Sequence, residues 1–379
     1  MRLSSIPGQN IIKRRLIQTV KESRISHAQL FFGPEGAGKL AMAIAYAQYI
    51  NCVDRTGDDS CGHCPSCIKY EKLIHPDLHF ILPVAVTKKV TKNPVTREFL
   101  PAWRELLISR GCFVALDDWY EKIDIENKQA IINADDCNEI IKTLNYKAYE
   151  AEYKVMIIWM VEKLYHAAAP KILKILEEPP DKTLFILIST NHDQIISTIL
   201  SRTQPVKFFK ADDAAVREVL LTRLAPPEDE LSALVRQIDG NLNLAFGWNA
   251  GQLGTDMFER FAQWMRLCYQ QKAAGLSAFI DDLTVQGRER QKTFLLYALR
   301  FIRECLMLPY ADQALSRLTP AEKEFAVNFA PFIHKANGIL FTEELNRALS
   351  HIERNANPSL LFMDLSLTFG KLLKMKHGR

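Results

Sequence analysis

The sequence predicts an α/β P-loop nucleotide fold that carries a zinc-binding insertion and is followed by two all-helical regions. Three observations predict it. A glycine-rich loop at residues 33–40 sits between an apolar run and a helical run, four cysteines cluster directly after it, and strand-like apolar runs stop near residue 208. The 379 residues exceed what one core commonly supports, so two or three domains are expected. Hydrophobic residues at 48% and charged residues at 24% suit a soluble globular chain. No run of about 18 apolar residues marks a membrane span, and Met1–Pro7 lacks the apolar core of a secretory signal, so a cytoplasmic location is the default expectation. A net charge of +4 is too small to identify a nucleic-acid binder and does not exclude one.

The first strand expected is Ala28–Phe32, which leads into Gly33-Pro34-Glu35-Gly36-Ala37-Gly38-Lys39-Leu40. In such a loop the glycines let backbone N–H groups wrap a phosphate, the lysine reaches its oxygens, and a final Ser/Thr hydroxyl holds Mg²⁺. Gly33, Gly36, Gly38 and Lys39 are in place, but Leu40 offers no oxygen. Leu40–Tyr46 then reads as the helix that must follow. Further strands are expected at Leu78–Leu82, Val155–Trp159 and Thr183–Ile188. Their apolar residues do not alternate with polar ones, which predicts burial on both faces and a largely parallel sheet. A helix is expected from Ala167 to Glu178, stopped by Pro179-Pro180. The strand at Val155–Trp159 is where an acidic residue would complete a Mg²⁺ site. Trp159, Met160 and Val161 stand there instead, and the first acid is Glu162. Two separate losses in one site predict weak or absent ATP binding and no turnover.

Cys52, Cys61, Cys64 and Cys67 form a C-x8-C-x2-C-x2-C pattern. Clustered thiols in a reducing compartment favour a metal over disulfides, and the short spacing suits tetrahedral, structural zinc. His63 lies inside the cluster and is not needed, since four thiolates complete the coordination. Cys112, Cys137, Cys268 and Cys305 are isolated and read as ordinary thiols.

Beyond residue 208 the segments Asp212–Leu224, Glu228–Ile238 and Leu242–Asn249 read as helices, broken by Pro226-Pro227 and Gly240. Gly251 and Gly254 mark a hinge. From Asp256 onward the pattern is amphipathic helix, and the last helix holds enough leucines for a bundle core or an oligomerisation surface. The stretch from Pro83 to Lys122 holds Lys88, Lys89 and Lys92, then Pro94, Pro101, Trp103, Trp119 and Tyr120. It reads as a solvated loop pinned to the domain by its aromatics, with contact to DNA phosphates and bases as the rival reading.

Several of these residues carry a resemblance. Ala168–Pro180 (Ala-Ala-Pro-Lys-Ile-Leu-Lys-Ile-Leu-Glu-Glu-Pro-Pro) resembles the LLKxLEEPP helix end of bacterial clamp loaders, and Ile199-Leu200-Ser201-Arg202-Thr203 resembles their SRC motif. The cysteines after the P-loop helix, His75-Pro76-Asp77 and Asn355-Ala356-Asn357-Pro358 are similar as well, so the resemblance covers most of the chain. Within these AAA+ proteins the incomplete ATP site resembles the delta prime type of DNA polymerase III rather than the gamma/tau ATPases.

The resemblance implies an AAA+ nucleotide fold over residues 1–208, with the zinc module at 52–67 and an insertion near 83–122. It implies a helical lid over 209–251 and a helical collar over 252–379. It implies a ring with gamma/tau-type and delta subunits that loads the sliding clamp onto primed DNA. Arg202 takes the position of an arginine finger acting in trans on a neighbour's ATP, with an ion pair inside its own chain as the alternative. Thr203 replaces the family's usual cysteine. Ser189, Thr190 and Asn191 fall where the family has sensor 1, and Asn243 falls near where AAA+ lids often carry a sensor 2 arginine. Two other readings remain: an active gamma/tau-like ATPase using Glu162, and a zinc-ribbon nucleic-acid binder with a vestigial P-loop.

Overall fold

The computed structural model describes residues 1–125, 128–247, 255–309 and 318–375. The chain divides into two compact units, Met1–Pro226 with Ile238–Trp248, and Pro227–Gln237 with Asn249–Arg379. The glycines expected to form a hinge, Gly251 and Gly254, lie outside the described residues.

The first unit is built on five parallel strands, β1 (Ala28–Phe32), β2 (Leu78–Ile81), β3 (Lys154–Trp159), β4 (Thr183–Ser189) and β5 (Gln204–Lys207), in the order β2-β3-β4-β1-β5. All residues of β3 and β4 are buried, which is why both read as unbroken apolar runs. β5 was not legible in that way. Only Val206 of its four residues is buried, and Pro205 is tolerated because the strand lies at the sheet edge.

Helices α1 (Asn10–Lys21), α2 (Lys39–Ile50), α3 (Pro65–Glu71), α4 (Thr96–Ser109), α5 (Leu116–Ile123), α6 (Ala134–Asn145), α7 (Ala169–Glu177), α8 (Ser197–Leu200) and α9 (Asp213–Arg223) follow in chain order. In α1 the buried residues are Ile12, Leu16, Ile17 and Val20, the spacing of a single apolar face. Every residue of α2 is buried, and its alanines at 41, 43, 45 and 47 allow close approach on all sides. α10 (Glu228–Ile238) and α11 (Leu242–Gly247) match the helices expected from sequence, apart from the last residues of the second, which fall outside the described residues.

The stretch from Pro83 to Lys122 departs from expectation. It folds as α4 and α5 rather than as a solvated loop, because Phe99, Trp103, Leu106 and Leu107 recur at helical spacing and are buried. Trp103 and Trp119 are both fully buried. Trp119 Nε1 donates to the Pro83 carbonyl at 2.9 Å, and the two indoles meet edge to face at 5.1 Å. Rings so placed are not available to stack on bases, while Lys88, Lys89 and Lys92 stay exposed.

The second unit holds nearly all of α10 together with α12 (Thr255–Gln270), α13 (Ala273–Val285), α14 (Arg288–Met307), α15 (Pro320–Phe329), α16 (Lys335–Glu353) and α17 (Pro358–Leu373). Its core centres on Trp264, which packs against Phe294, Phe362 and Phe369 and donates from Nε1 to Ser366 Oγ at 2.8 Å. In α17, Phe362, Leu365, Phe369, Leu372 and Leu373 are buried, whereas Leu360 and Leu367 are exposed. No helix among the described residues is long and apolar enough to cross a membrane.

Candidate functional site

The glycine loop leaves the C-terminal end of β1, where a parallel sheet places its ligand crevice. Gly33 has φ +148°, and a Cβ there would lie 2.4 Å from the Phe208 carbonyl oxygen. Gly36 has φ +68°, and a Cβ would lie 1.8 Å from Asn241 Oδ1. The Gly36 carbonyl accepts from the Leu242 N–H at 3.0 Å, so the loop is strapped to the start of α11. Gly38 caps α2.

Lys39 is 5% exposed, and its ammonium donates to the carbonyls of Gly33 at 2.7 Å and Pro34 at 2.5 Å. Burial lowers its pKa to about 8, against the opposing pull of Glu162 and Glu35. The lysine is therefore turned back onto its own loop. The cavity beside it measures about 20 Å³, room for about one water molecule. Leu40, Cys112, Val114, Trp159, Met160 and Asn243 are among its walls, and Asn243 Nδ2 donates to the Val114 carbonyl at 3.1 Å.

Trp159 ends β3 and is 2% exposed, with its ring 4.8 Å from that of Trp103. The next acid in the chain, Glu162, is held through one oxygen, while its Oε2 is buried without a hydrogen-bond partner. Its Oε1 accepts from both the backbone N–H and the hydroxyl of Thr190, each at 2.9 Å. Ser189 Oγ accepts from the Asn191 N–H at 3.1 Å. Ser189, Thr190 and Asn191, the residues expected at sensor 1, thus bind one another and Glu162.

The four cysteines expected to bind zinc do come together: their sulfurs all lie within 4.8 Å of one another. A tetrahedral ion with Zn–S bonds of about 2.3 Å needs sulfurs about 3.8 Å apart. Cys61 and Cys67 are 3.9 Å apart. The N–H groups of Cys61, Cys64 and Cys67 donate to the sulfurs of Cys52, Cys61 and Cys64 at 3.3, 3.3 and 3.4 Å. Burial resists ionisation of Cys64, yet the N–H groups of Cys67 and Val53 and the adjacent thiols lower it to about 6. Burial pushes Cys52 and Cys67 up. On donor type, spacing and the N–H groups that donate to their sulfurs, these residues fit zinc. His63 is exposed, with Nε2 3.5 Å from Asp54, and the separate trio Asp54, Cys61 and His63 is largely exposed. Cys112, Cys137, Cys268 and Cys305 are buried singly.

Within the cysteine module Asp59 accepts from the N–H groups of Leu3 and Ser4, both at 2.9 Å. Farther along, Asp77 is 1% exposed and accepts from the N–H groups of Tyr149, Glu150 and Ala151 at 2.6, 2.9 and 2.9 Å. Burial would raise its pKa, and these three donors more than reverse that, so it is lowered. His75 accepts at Nδ1 from the Asp77 N–H at 3.1 Å and packs on Tyr70. The His-Pro-Asp motif is thus an anchor for the segment that enters β3, and its chemistry is structural.

Arg202 follows α8 and is about one-third exposed. Its Nε donates to Glu177 Oε1 at 2.6 Å, and Nη1 donates to the Thr198 carbonyl at 2.9 Å and to Ser201 Oγ at 3.1 Å. Glu177, the last residue of α7, was not singled out from sequence; its distance of 25 residues from Arg202 gave no local signal.

The family model described as "DNA polymerase III, delta subunit" matches residues 8–212, more than half of the chain. DNA polymerase III subunit delta' of Bacillus subtilis is 25% identical over 216 residues, which cover 57% of this chain and 52% of that protein. Subunit tau of the same organism is 25% identical over 246 residues, 64% of this chain and 36% of that protein. The chain thus spans about half or less of these curated relatives. A solved DNA polymerase III gamma subunit-related protein from Thermotoga maritima aligns over 96% of this chain and 99% of that one, at 13% identity and a TM-score of 0.46. The matched residues take in the glycine loop, the four cysteines, all five strands and Arg202, and the chain belongs to the DNA polymerase III delta-subunit family of clamp-loader subunits.

Proposed function

We propose that this chain is a non-hydrolysing clamp-loader subunit of the delta prime type. In this reading it joins gamma/tau-type and delta subunits in a ring that places the sliding clamp on primed DNA. The observation that carries the reading is Lys39 bonded to the Gly33 and Pro34 carbonyls, beside a cavity of about 20 Å³ walled by Leu40, Trp159 and Met160. A hydroxyl and a carboxylate are needed there to hold Mg²⁺, and an alkyl chain, an indole and a thioether supply neither. The alternative, turnover through Glu162, is disfavoured because Thr190 fixes that carboxylate through Oε1 and leaves only the buried Oε2 to a metal, with no hydroxyl at Leu40 to complete the site.

The chain's own chemical contribution is Arg202, offered in trans to a neighbour's ATP, where a guanidinium offsets charge on the transferring phosphoryl group. Cys52, Cys61, Cys64 and Cys67 would hold one structural zinc. Residues 1–208, 209–251 and 252–379 would act as nucleotide fold, lid and collar.

The deciding experiment is ATP hydrolysis stimulated by clamp and primed DNA. It compares the chain alone, the loader reconstituted with gamma/tau-type and delta partners, and the loader carrying Arg202→Ala. The expected result is silence from the chain alone, turnover by the loader, and a large loss with Arg202→Ala, up to the roughly 10³-fold of a trans-acting finger at the one site it serves. Turnover by the chain alone would overturn the reading of the loop, and full activity with Arg202→Ala would remove the finger.

A further inference from the structure

An arginine that serves a neighbour must be free to leave its own chain, and Arg202 is held there by nearly all its donors. Nε and Nη2 both bind Glu177 Oε1, while Nη1 is shared between the Thr198 carbonyl and Ser201 Oγ. These contacts nearly exhaust the N–H donors of a guanidinium. Bidentate binding of a phosphate needs two parallel donors on one edge. The Nε–Nη2 edge is the one that Glu177 occupies. Carboxylate and phosphate cannot share it, since their like charges repel.

We propose that Glu177 is a positioning residue that latches Arg202 to its own chain, and that engaging the neighbour's phosphate requires the guanidinium to exchange one anion for the other. This rests on the finger reading of Arg202. The pair is placed for such an exchange. Glu177 ends α7 where Pro179 and Pro180 halt the helix, Arg202 follows the one-turn α8, and the side chains are 48% and 32% exposed. Ion pairs this accessible are weak, equivalent to about a two- to fivefold equilibrium bias. The latch is therefore a modest threshold that a multiply charged phosphate in a neighbouring site exceeds, and it weakens with salt.

Two measurements test it. The first uses the chain alone: phenylglyoxal labelling of Arg202, followed by peptide mass spectrometry with Arg97 as the internal reference. Glu177→Gln, which keeps the shape and removes the charge, should speed labelling of Arg202 about two- to fivefold and leave Arg97 unchanged. The second uses the reconstituted loader. Glu177→Gln should raise kcat/KM for ATP by a similar factor at low salt, with the gain shrinking as salt rises, and Glu177→Gln with Arg202→Ala should match Arg202→Ala alone.

Unchanged labelling overturns the latch, as does an unchanged or lowered rate, or a gain that survives in the Arg202→Ala background. Faster labelling in a loader indifferent to Arg202→Ala instead overturns the finger reading and leaves only a local ion pair.

Discussion

Lys39 shows how a motif residue can be in place in the sequence and committed elsewhere in the fold. Its ammonium binds the carbonyls of Gly33 and Pro34, and burial holds its pKa at about 8 against the ordinary lysine value of 10.5. The unfolded chain then binds a proton between those pH values that the fold does not, so stability rises with pH across that window. The cost of the buried charge, about 3 kcal/mol, is present below pH 8 and relieved by pH 10.5. Urea denaturation should therefore show the native chain gaining on Lys39→Met between those limits, and a flat difference would mean that Lys39 keeps its proton. Asp77 is the opposite case, a short motif residue whose partners lie more than 70 residues away. No local pattern could expose them. Asp77→Ala leaves three backbone donors without their acceptor and should cost about 3 kcal/mol, read as a lowered denaturation midpoint. The glycines, Lys39 and the four cysteines were legible because their chemistry lies in short spacings, whereas the partners of Arg202 and Glu162 depended on strand order.

At the scale of elements, β1 to β4 were visible as apolar runs, and α7 was bounded by its two prolines. α4 and α5 were missed because a loop-like basic stretch precedes them, and because the tryptophans that fix them touch residues of distant strands. Phe80 of β2 and Trp159 of β3 both reach Trp103. Trp103→Ala should therefore cost about 3–5 kcal/mol and loosen α4 and α5, seen as faster amide exchange in those helices, while metal content stays unchanged. The cysteine module behaves as a separate element. Metal analysis should find about one zinc per chain, and Cys64→Ser or chelation should remove it. Since Asp59 of that module holds the N–H groups of Leu3 and Ser4, loss of the metal should also raise exchange at those amides. Zinc-free protein from a freshly reduced preparation would sink the assignment.

Across the whole molecule the two units carry different physics. The first is a parallel sheet closed by long-range strand pairings, and the second is a set of helices around one tryptophan. Each has its own buried core, so calorimetry should resolve two transitions. Trp264→Ala should lower one of them by the equivalent of about 3–5 kcal/mol and leave the other in place. A single transition that shifts as a whole would mean that the units unfold together. The helical character of the second unit was plain from its periodicity. Which leucines of α17 stay exposed was not, because all of them look alike until the helices around them are placed.

The position of Trp159 bears on any attempt to build a Mg²⁺ site beside the glycine loop. On paper two substitutions suffice, a hydroxyl at Leu40 and a carboxylate at Trp159. In the fold, that indole packs against Trp103 and is almost fully buried. Exchanging it for an aspartate would empty a ring-sized volume and strand a charge in an apolar wall, and Lys39 would still face its own carbonyls. The glycine-loop site is thus mechanically coupled to the stability of the domain, and a designer would have to rebuild the aromatic layer before placing Mg²⁺ ligands there.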